Sequence, residues 1–138
     1  MKHIFLAALL SLPLSVHAQD IGKITEIASG LKGPWSIGFL PDGEVLVTEK
    51  RGKLWRIGAD GKRDEISGLP ASEDKGQGGL FDVLPARDFA ISGRIYLSYA
   101  KAGEGTSVSM AQLEGDRLVG VTEIFEMQTD STGGRHFG

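Results

Sequence analysis

Trp35-Ser36-Ile37-Gly38-Phe39-Leu40-Pro41-Asp42-Gly43-Glu44-Val45-Leu46-Val47-Thr48-Glu49-Lys50-Arg51-Gly52-Lys53-Leu54-Trp55-Arg56-Ile57 is a run of short apolar segments cut by turn residues. Trp35 to Leu40 is mostly apolar and stops at Pro41-Asp42-Gly43. Glu44 to Thr48 follows as a β-branched run, Arg51-Gly52 marks a second turn, and Lys53 to Ile57 alternates between apolar and polar. Ala59-Asp60-Gly61 is a third turn, and upstream Ile24-Thr25-Glu26-Ile27 alternates as well. Short β-prone runs separated by Asp-Gly and Gly turns read as a β-meander. No window carries a sustained helical period with caps. The chain is therefore all-β.

The pattern then restarts. Gly79-Leu80-Phe81-Asp82-Val83-Leu84-Pro85 resembles Trp35 to Pro41, with the two Leu-Pro pairs 44 residues apart. Each is followed by a polar turn and a β-branched strand, Glu44 to Thr48 in the first unit and Arg94 to Tyr99 in the second. The second unit continues through Thr106 to Gln112, a turn at Glu114-Gly115-Asp116, and Val121 to Met127. A four-stranded unit recurring every 40–50 residues or so is the signature of β-propeller blades. A small sandwich is the competing architecture, since two meanders can also look alike by chance. Propellers hold about 4–8 blades, and two are legible here. A third unit begins at Arg135-His136-Phe137-Gly138. Two blades leave open the sheet edges that a closed ring protects. The expectation is thus an N-terminal fragment, covering about a third of a six-bladed ring.

The first residues point to export. Met1 and Lys2 form a positive start, Ile4 to Leu14 is uncharged and rich in Leu and Ala, and Val16-His17-Ala18 has the small residues of a cleavage site. This reads as a signal peptide over residues 1–18, leaving 19–138 as the truncated propeller portion of a periplasmic or secreted protein. The apolar run is shorter than the about 20 residues a membrane helix needs. At 41% hydrophobic and 24% charged, the composition is that of a folded domain rather than a disordered one. The 20 glycines show no collagen period and fit many tight turns. A net charge of −3 argues against a nucleic-acid partner. The one basic cluster, Lys50, Arg51, Lys53 and Arg56, straddles a turn and reads as a solvated face. Cysteine is absent, which removes a disulfide framework and thiolate-held zinc or iron–sulfur sites. His136 is the only histidine outside the leader, so no two-histidine metal motif exists.

Blade geometry singles out a few positions. The first strand of each blade lines the channel, and the loop leading into it lies at one mouth. Three such loops are readable: Gly33-Pro34-Trp35, Gly76-Gln77-Gly78-Gly79 and Arg135-His136-Phe137-Gly138. Gln77 is bracketed by glycines that let backbone approach a ligand closely. Its amide can donate and accept, as a sugar hydroxyl or a quinone carbonyl requires. The plainer reading is a glycine-rich turn with Gln77 facing water. His136 offers an imidazole able to take a proton from an alcohol near neutral pH. The plainer reading there is a loop histidine without a role. No nucleophile elbow, phosphate-binding loop, dinucleotide fingerprint or EF-hand is present in the sequence.

Several segments together resemble the soluble, pyrroloquinoline-quinone-dependent aldose sugar dehydrogenases of the glucose/sorbosone dehydrogenase family. They are Gly30-Leu31 through Ile37, Phe39 to Gly43, Gly76 to Val83, Arg94 to Tyr99, and Gly134-Arg135-His136-Phe137-Gly138. The resemblance implies a six-bladed β-propeller, usually periplasmic. Pyrroloquinoline quinone (PQQ) sits over the channel mouth, and calcium supports cofactor and fold. It implies oxidation of an aldose such as glucose at C1 to the lactone, with hydride passing to the quinone and electrons leaving to an external acceptor. The residue matching His136 is the general base on the C1 hydroxyl, and the residue matching Gln77 lies beside the cofactor and the sugar oxygen. Arg135 departs from the pattern, since the family often has an acidic or amide residue there. A cation beside the base lowers its proton affinity, unless it faces away. The family's other cofactor-binding residues and its calcium ligands belong to later blades, so only Gln77 and His136 carry over and no metal ligand is assigned. The 138 residues alone are expected to be inactive. The rival readings are a non-catalytic exported propeller scaffold and a sugar-lactone hydrolase with a carboxylate-held metal.

Overall fold

The computed structural model describes residues 22, 24–103 and 105–128. The leader 1–18 and the segment with Arg135 and His136 lie outside the described residues. Eight strands form two four-stranded antiparallel sheets, each contiguous in sequence. The first holds β1 (Pro34–Phe39), β2 (Val45–Glu49), β3 (Lys53–Ile57) and β4 (Arg63–Ile66) in that order. The second holds β5 (Leu80–Pro85), β6 (Arg94–Lys101), β7 (Gly105–Glu114) and β8 (Arg117–Glu126). Each sheet is a plain up-and-down meander, and neither exchanges strands with the other. That is the order of stacked propeller blades, whereas Greek-key sandwiches send the chain back and forth between sheets.

One core joins the blades. Leu46, Leu54 and Ile66 of the first sheet meet Leu80, Ile95 and Leu97 of the second, all at or near zero exposure. The first sheet is also covered on its far face, where Val45, Val47 and Ile57 pack with Ala28, Leu31 and Trp55. Every residue of β2 is consequently buried. The segment Ile24 to Ile27, whose alternation suggested a strand, has no regular structure. A strand needs a ladder partner, and this stretch belongs to neither sheet. The chain following it lies on the face of the first sheet, where Ala28 and Leu31 add to the core. The fourth strand of the first unit is instead β4, a mostly charged stretch that buries only Ile66. A single helical turn, α1 (Phe89–Ser92), sits between β5 and β6 and ends on Gly93 in the left-handed region (φ 61°). It is too short to show a helical period in sequence.

The two first strands carry the same β-bulge. In β1 the ladder shifts between Pro34 and Ile37, and in β5 it shifts between Leu80 and Val83. Trp35 and Ser36 therefore correspond to Phe81 and Asp82, an offset of 46 positions. Anchoring on the Leu-Pro pairs gives 44 and misaligns the bulges, because Leu84-Pro85 lies within β5 whereas Leu40-Pro41 follows the end of β1. A bulge frees a strand amide from the ladder. Here the freed Ser36 N–H donates to the Thr48 hydroxyl at 3.1 Å, and the freed Asp82 N–H donates to the Ser98 hydroxyl at 3.1 Å. Gly38 lies at a close approach of the blades: a Cβ there would sit 2.8 Å from Pro85 Cδ and 3.1 Å from the Val83 carbonyl oxygen.

Candidate functional site

The loop before β1, the β2–β3 turn and the loop before β5 gather at one end of the blade pair. The β2–β3 turn is a tight one, with the Gly52 amide donating to the Glu49 carbonyl at 3.0 Å and Gly52 in the left-handed region (φ 84°). The buried Glu49 carboxylate accepts the Lys32 amide and fixes the loop leading into β1. The Lys50 amide donates to the Gly33 carbonyl at 3.0 Å, drawing the same two segments together.

The loop before β5 is held on both flanks. The Glu73 amide donates to the Ala100 carbonyl at 2.8 Å, and the Leu80 amide donates to the Lys50 carbonyl at 2.9 Å. Between them a turn closes through the Gly78 amide and the Lys75 carbonyl at 2.9 Å, with Gly76 at positive φ (60°). Gln77 stands exposed at the tip of this turn. The two glycines that follow admit neighbouring backbone. A Cβ at Gly78 would lie 2.7 Å from the Glu73 carbonyl oxygen, and one at Gly79 would lie 2.3 Å from that of Lys50.

The β2–β3 turn brings two cations, Lys50 and Arg51, to this end. Lys50 Nζ lies 2.6 Å from Asp74 Oδ1 and donates to the Gly76 carbonyl at 2.9 Å. Arg51 Nε lies 3.5 Å from the other Asp74 oxygen. The hydrogen bond from Lys50 holds the Asp74 carboxyl below its ordinary value, against an opposing effect of burial, and the charges of Lys50 and Arg51 add to the lowering. Lys32, Gly33, Lys50, Arg51 and Asp74 line an open pocket of about 520 Å³. Its charged lining is three cations to one carboxylate.

The expected solvated basic cluster divides in two. Arg51 and Lys53 are well exposed, with side-chain exposures of 79% and 44%, but Lys50 and Arg56 are at 28% and 23% and hold specific partners. Arg56 donates to the Gly115 carbonyl at 2.8 Å and lies 3.5 Å from Asp116, tying β3 to the β7–β8 turn of the next blade. Of the two site residues read from sequence, Gln77 is at the gathered loops and His136 lies outside the described residues. Lys50 and Asp74, 24 positions apart, carry no local signal that would pair them. Among the described residues no group of three or more His, Cys, Asp or Glu could hold a metal ion. No helix among them is long and apolar enough to cross a membrane.

Comparison with known proteins is consistent with this architecture. The profile of the Glucose / Sorbosone dehydrogenase family matches residues 31–138. An aldose sugar dehydrogenase of Escherichia coli is 35% identical over 97% of this chain and 38% of its own length. A solved glucose dehydrogenase superposes with a TM-score of 0.78 at 38% identity, covering 85% of this chain and 39% of that one. The apo-form of the soluble aldose sugar dehydrogenase of Escherichia coli gives 0.73 at 36% identity, covering 78% and 33%. The PQQ-bound aldose sugar dehydrogenase of Streptomyces coelicolor shares the fold, with a TM-score of 0.71 at 23% identity, covering 75% and 33%. The chain thus spans about two fifths or less of the length of these relatives.

Proposed function

The chain belongs to the glucose/sorbosone dehydrogenase family, and from that premise we propose that it forms the first two blades of a six-bladed, exported enzyme that oxidises an aldose at C1 to the lactone, using PQQ. The observation that carries the reading is the convergence of the Gln77 loop with a cation-rich pocket at one end of the blades. PQQ is a planar quinone bearing carboxylates. A mouth lined by Lys32 and Arg51 suits its charge, and the Gln77 amide suits a quinone carbonyl or a sugar hydroxyl. Calcium finds no comparable donor set among the described residues.

When bound, PQQ would supply the hydride acceptor for C1 oxidation, and Lys32 and Arg51 would hold its carboxylates. The chain's own part is binding, orientation and proton removal. Gln77 orients the reacting oxygen by donating an N–H to it, a bond that holds C1 in a productive pose. His136 accepts the C1 hydroxyl proton as hydride departs, leaving the carbonyl of the lactone.

The test is product analysis on the full-length protein reconstituted with calcium and PQQ. Incubation with glucose and a dye acceptor should yield the lactone in step with dye reduction. Quinone binding, followed by the cofactor's absorbance, should weaken in Gln77→Ala. Tight quinone binding with no sugar oxidised, or full turnover without the quinone, would overturn the reading.

A further inference from the structure

Lys50 clamps the loop that presents Gln77, and we propose that it is a positioning residue for sugar oxidation, acting through that loop rather than on the substrate. This rests on Gln77 being a site residue, as argued above. Four bonds make Lys50 a hub. Its amide donates to Gly33 at 3.0 Å, and its carbonyl accepts from Leu80 at 2.9 Å. Its ammonium pairs with Asp74 at 2.6 Å and donates to the Gly76 carbonyl at 2.9 Å. The last two bonds grip the residues just before Gln77. Glycines on both sides of Gln77 widen the backbone conformations open to the tip, and within the loop the Gly78 amide donates to the Lys75 carbonyl and the Lys75 amide to the Glu73 carbonyl. To these the cross-blade ammonium adds its contacts with Asp74 and the Gly76 carbonyl.

The chemistry suits a lysine. Its compact charge carries several donors that can diverge, here toward a carboxylate and a carbonyl. Arg51, reaching Asp74 only at 3.5 Å and largely exposed, is a weak substitute. With Lys50 partly exposed, the pair adds little to global stability. Its effect is on where Gln77 sits. Misplacement of a group by about 1 Å can cost about 10²-fold in rate. A residue with a small stability effect and a large rate effect is the signature sought.

The experiment uses the full-length protein loaded with calcium and PQQ, glucose as substrate, and the variants Lys50→Met, Lys50→Arg, Gln77→Ala and the Lys50→Met/Gln77→Ala double. Lys50→Met should lower kcat/KM by about 10- to 100-fold. Its melting midpoint should stay close to the parent's, and amide exchange should speed up across 74–79. Lys50→Arg, which keeps charge and donors, should recover most of the activity. In the Gln77→Ala background, Lys50→Met should cost less than about twofold more, because two residues acting as a unit are not additive. Full additivity, or unchanged exchange across 74–79, overturns the clamp while leaving the dehydrogenase reading intact. Gln77→Ala with undiminished activity overturns the site reading of Gln77 and the positioning role with it.

Discussion

Thr48 and Ser98 do the same work in successive blades: each hydroxyl accepts the backbone amide that a bulge in the preceding strand sets free. Thr48 goes further, donating its own proton to the Phe81 carbonyl of the next blade at 2.6 Å. Beside it the Ser36 hydroxyl donates to the Asp82 carboxylate, and the Trp35 and Phe81 rings lie 5.5 Å apart. The inner strands are thus joined by matched irregularities as much as by apolar packing.

Thr48→Val is the direct test of that joint. Valine fills nearly the same volume at this fully buried site but neither donates nor accepts. The Ser36 amide and the Phe81 carbonyl would each lose a partner. The expected cost is about 1–3 kcal/mol, read by urea unfolding against Ser98→Ala as the second-blade counterpart. A neutral Thr48→Val would mean that water replaces both bonds.

Gly79→Ala should be poorly tolerated. Its Cβ would fall 2.3 Å from the Lys50 carbonyl oxygen, and that atom is backbone that also accepts the Leu80 amide. Glycine's φ of 150° adds strain for any side chain. Destabilisation of at least about 1–3 kcal/mol is expected, with lost amide protection at Leu80 as its local readout.

Arg56→Met removes the link from β3 to the Gly115 carbonyl and Asp116 while keeping an aliphatic stem of similar length. A charged donor bonded to a carbonyl is worth about 1.5–3 kcal/mol at best, and partial exposure reduces that. A loss of about 1 kcal/mol is expected, from chemical denaturation. Lys53→Met should cost less, since Lys53 pairs with Glu65 at the surface.

Asp74 should titrate below the ordinary carboxylate range, because the Lys50 hydrogen bond favours its charged form. A carboxyl depressed on folding contributes stability above its unfolded value, and that stability is lost as pH falls through the folded value. The 74–79 loop should therefore loosen only below about pH 4. Carbon-detected titration of the Asp74 carboxyl gives the midpoint, which should rise in Lys50→Met. An unchanged midpoint would show that Lys50 is not its principal partner.

Much of the fold was legible because turns and alternation are local. Lys53 to Ile57 coincides with β3, and Glu44 to Thr48 differs from β2 by one residue at each end. Two errors share a cause. Ile24 to Ile27 alternates like a strand, and Arg63 to Ile66 does not, yet only the second finds a ladder partner. Pairing is non-local, so the pattern alone misassigned them. The bulge register was hidden for the same reason. The place of Gln77 in an exposed turn was legible because glycines flank it. The Lys50–Asp74 pair was not, since it is made across the blade boundary.

Dye reduction by the full-length protein, with and without PQQ, in parent and His136→Ala, tests the central claim most directly. Glucose-dependent reduction that requires the quinone and falls by about 10²–10⁴-fold in the variant, the usual contribution of a general base, is the expected result. No quinone-dependent reduction with any aldose, or a His136→Ala variant as fast as the parent, would contradict it.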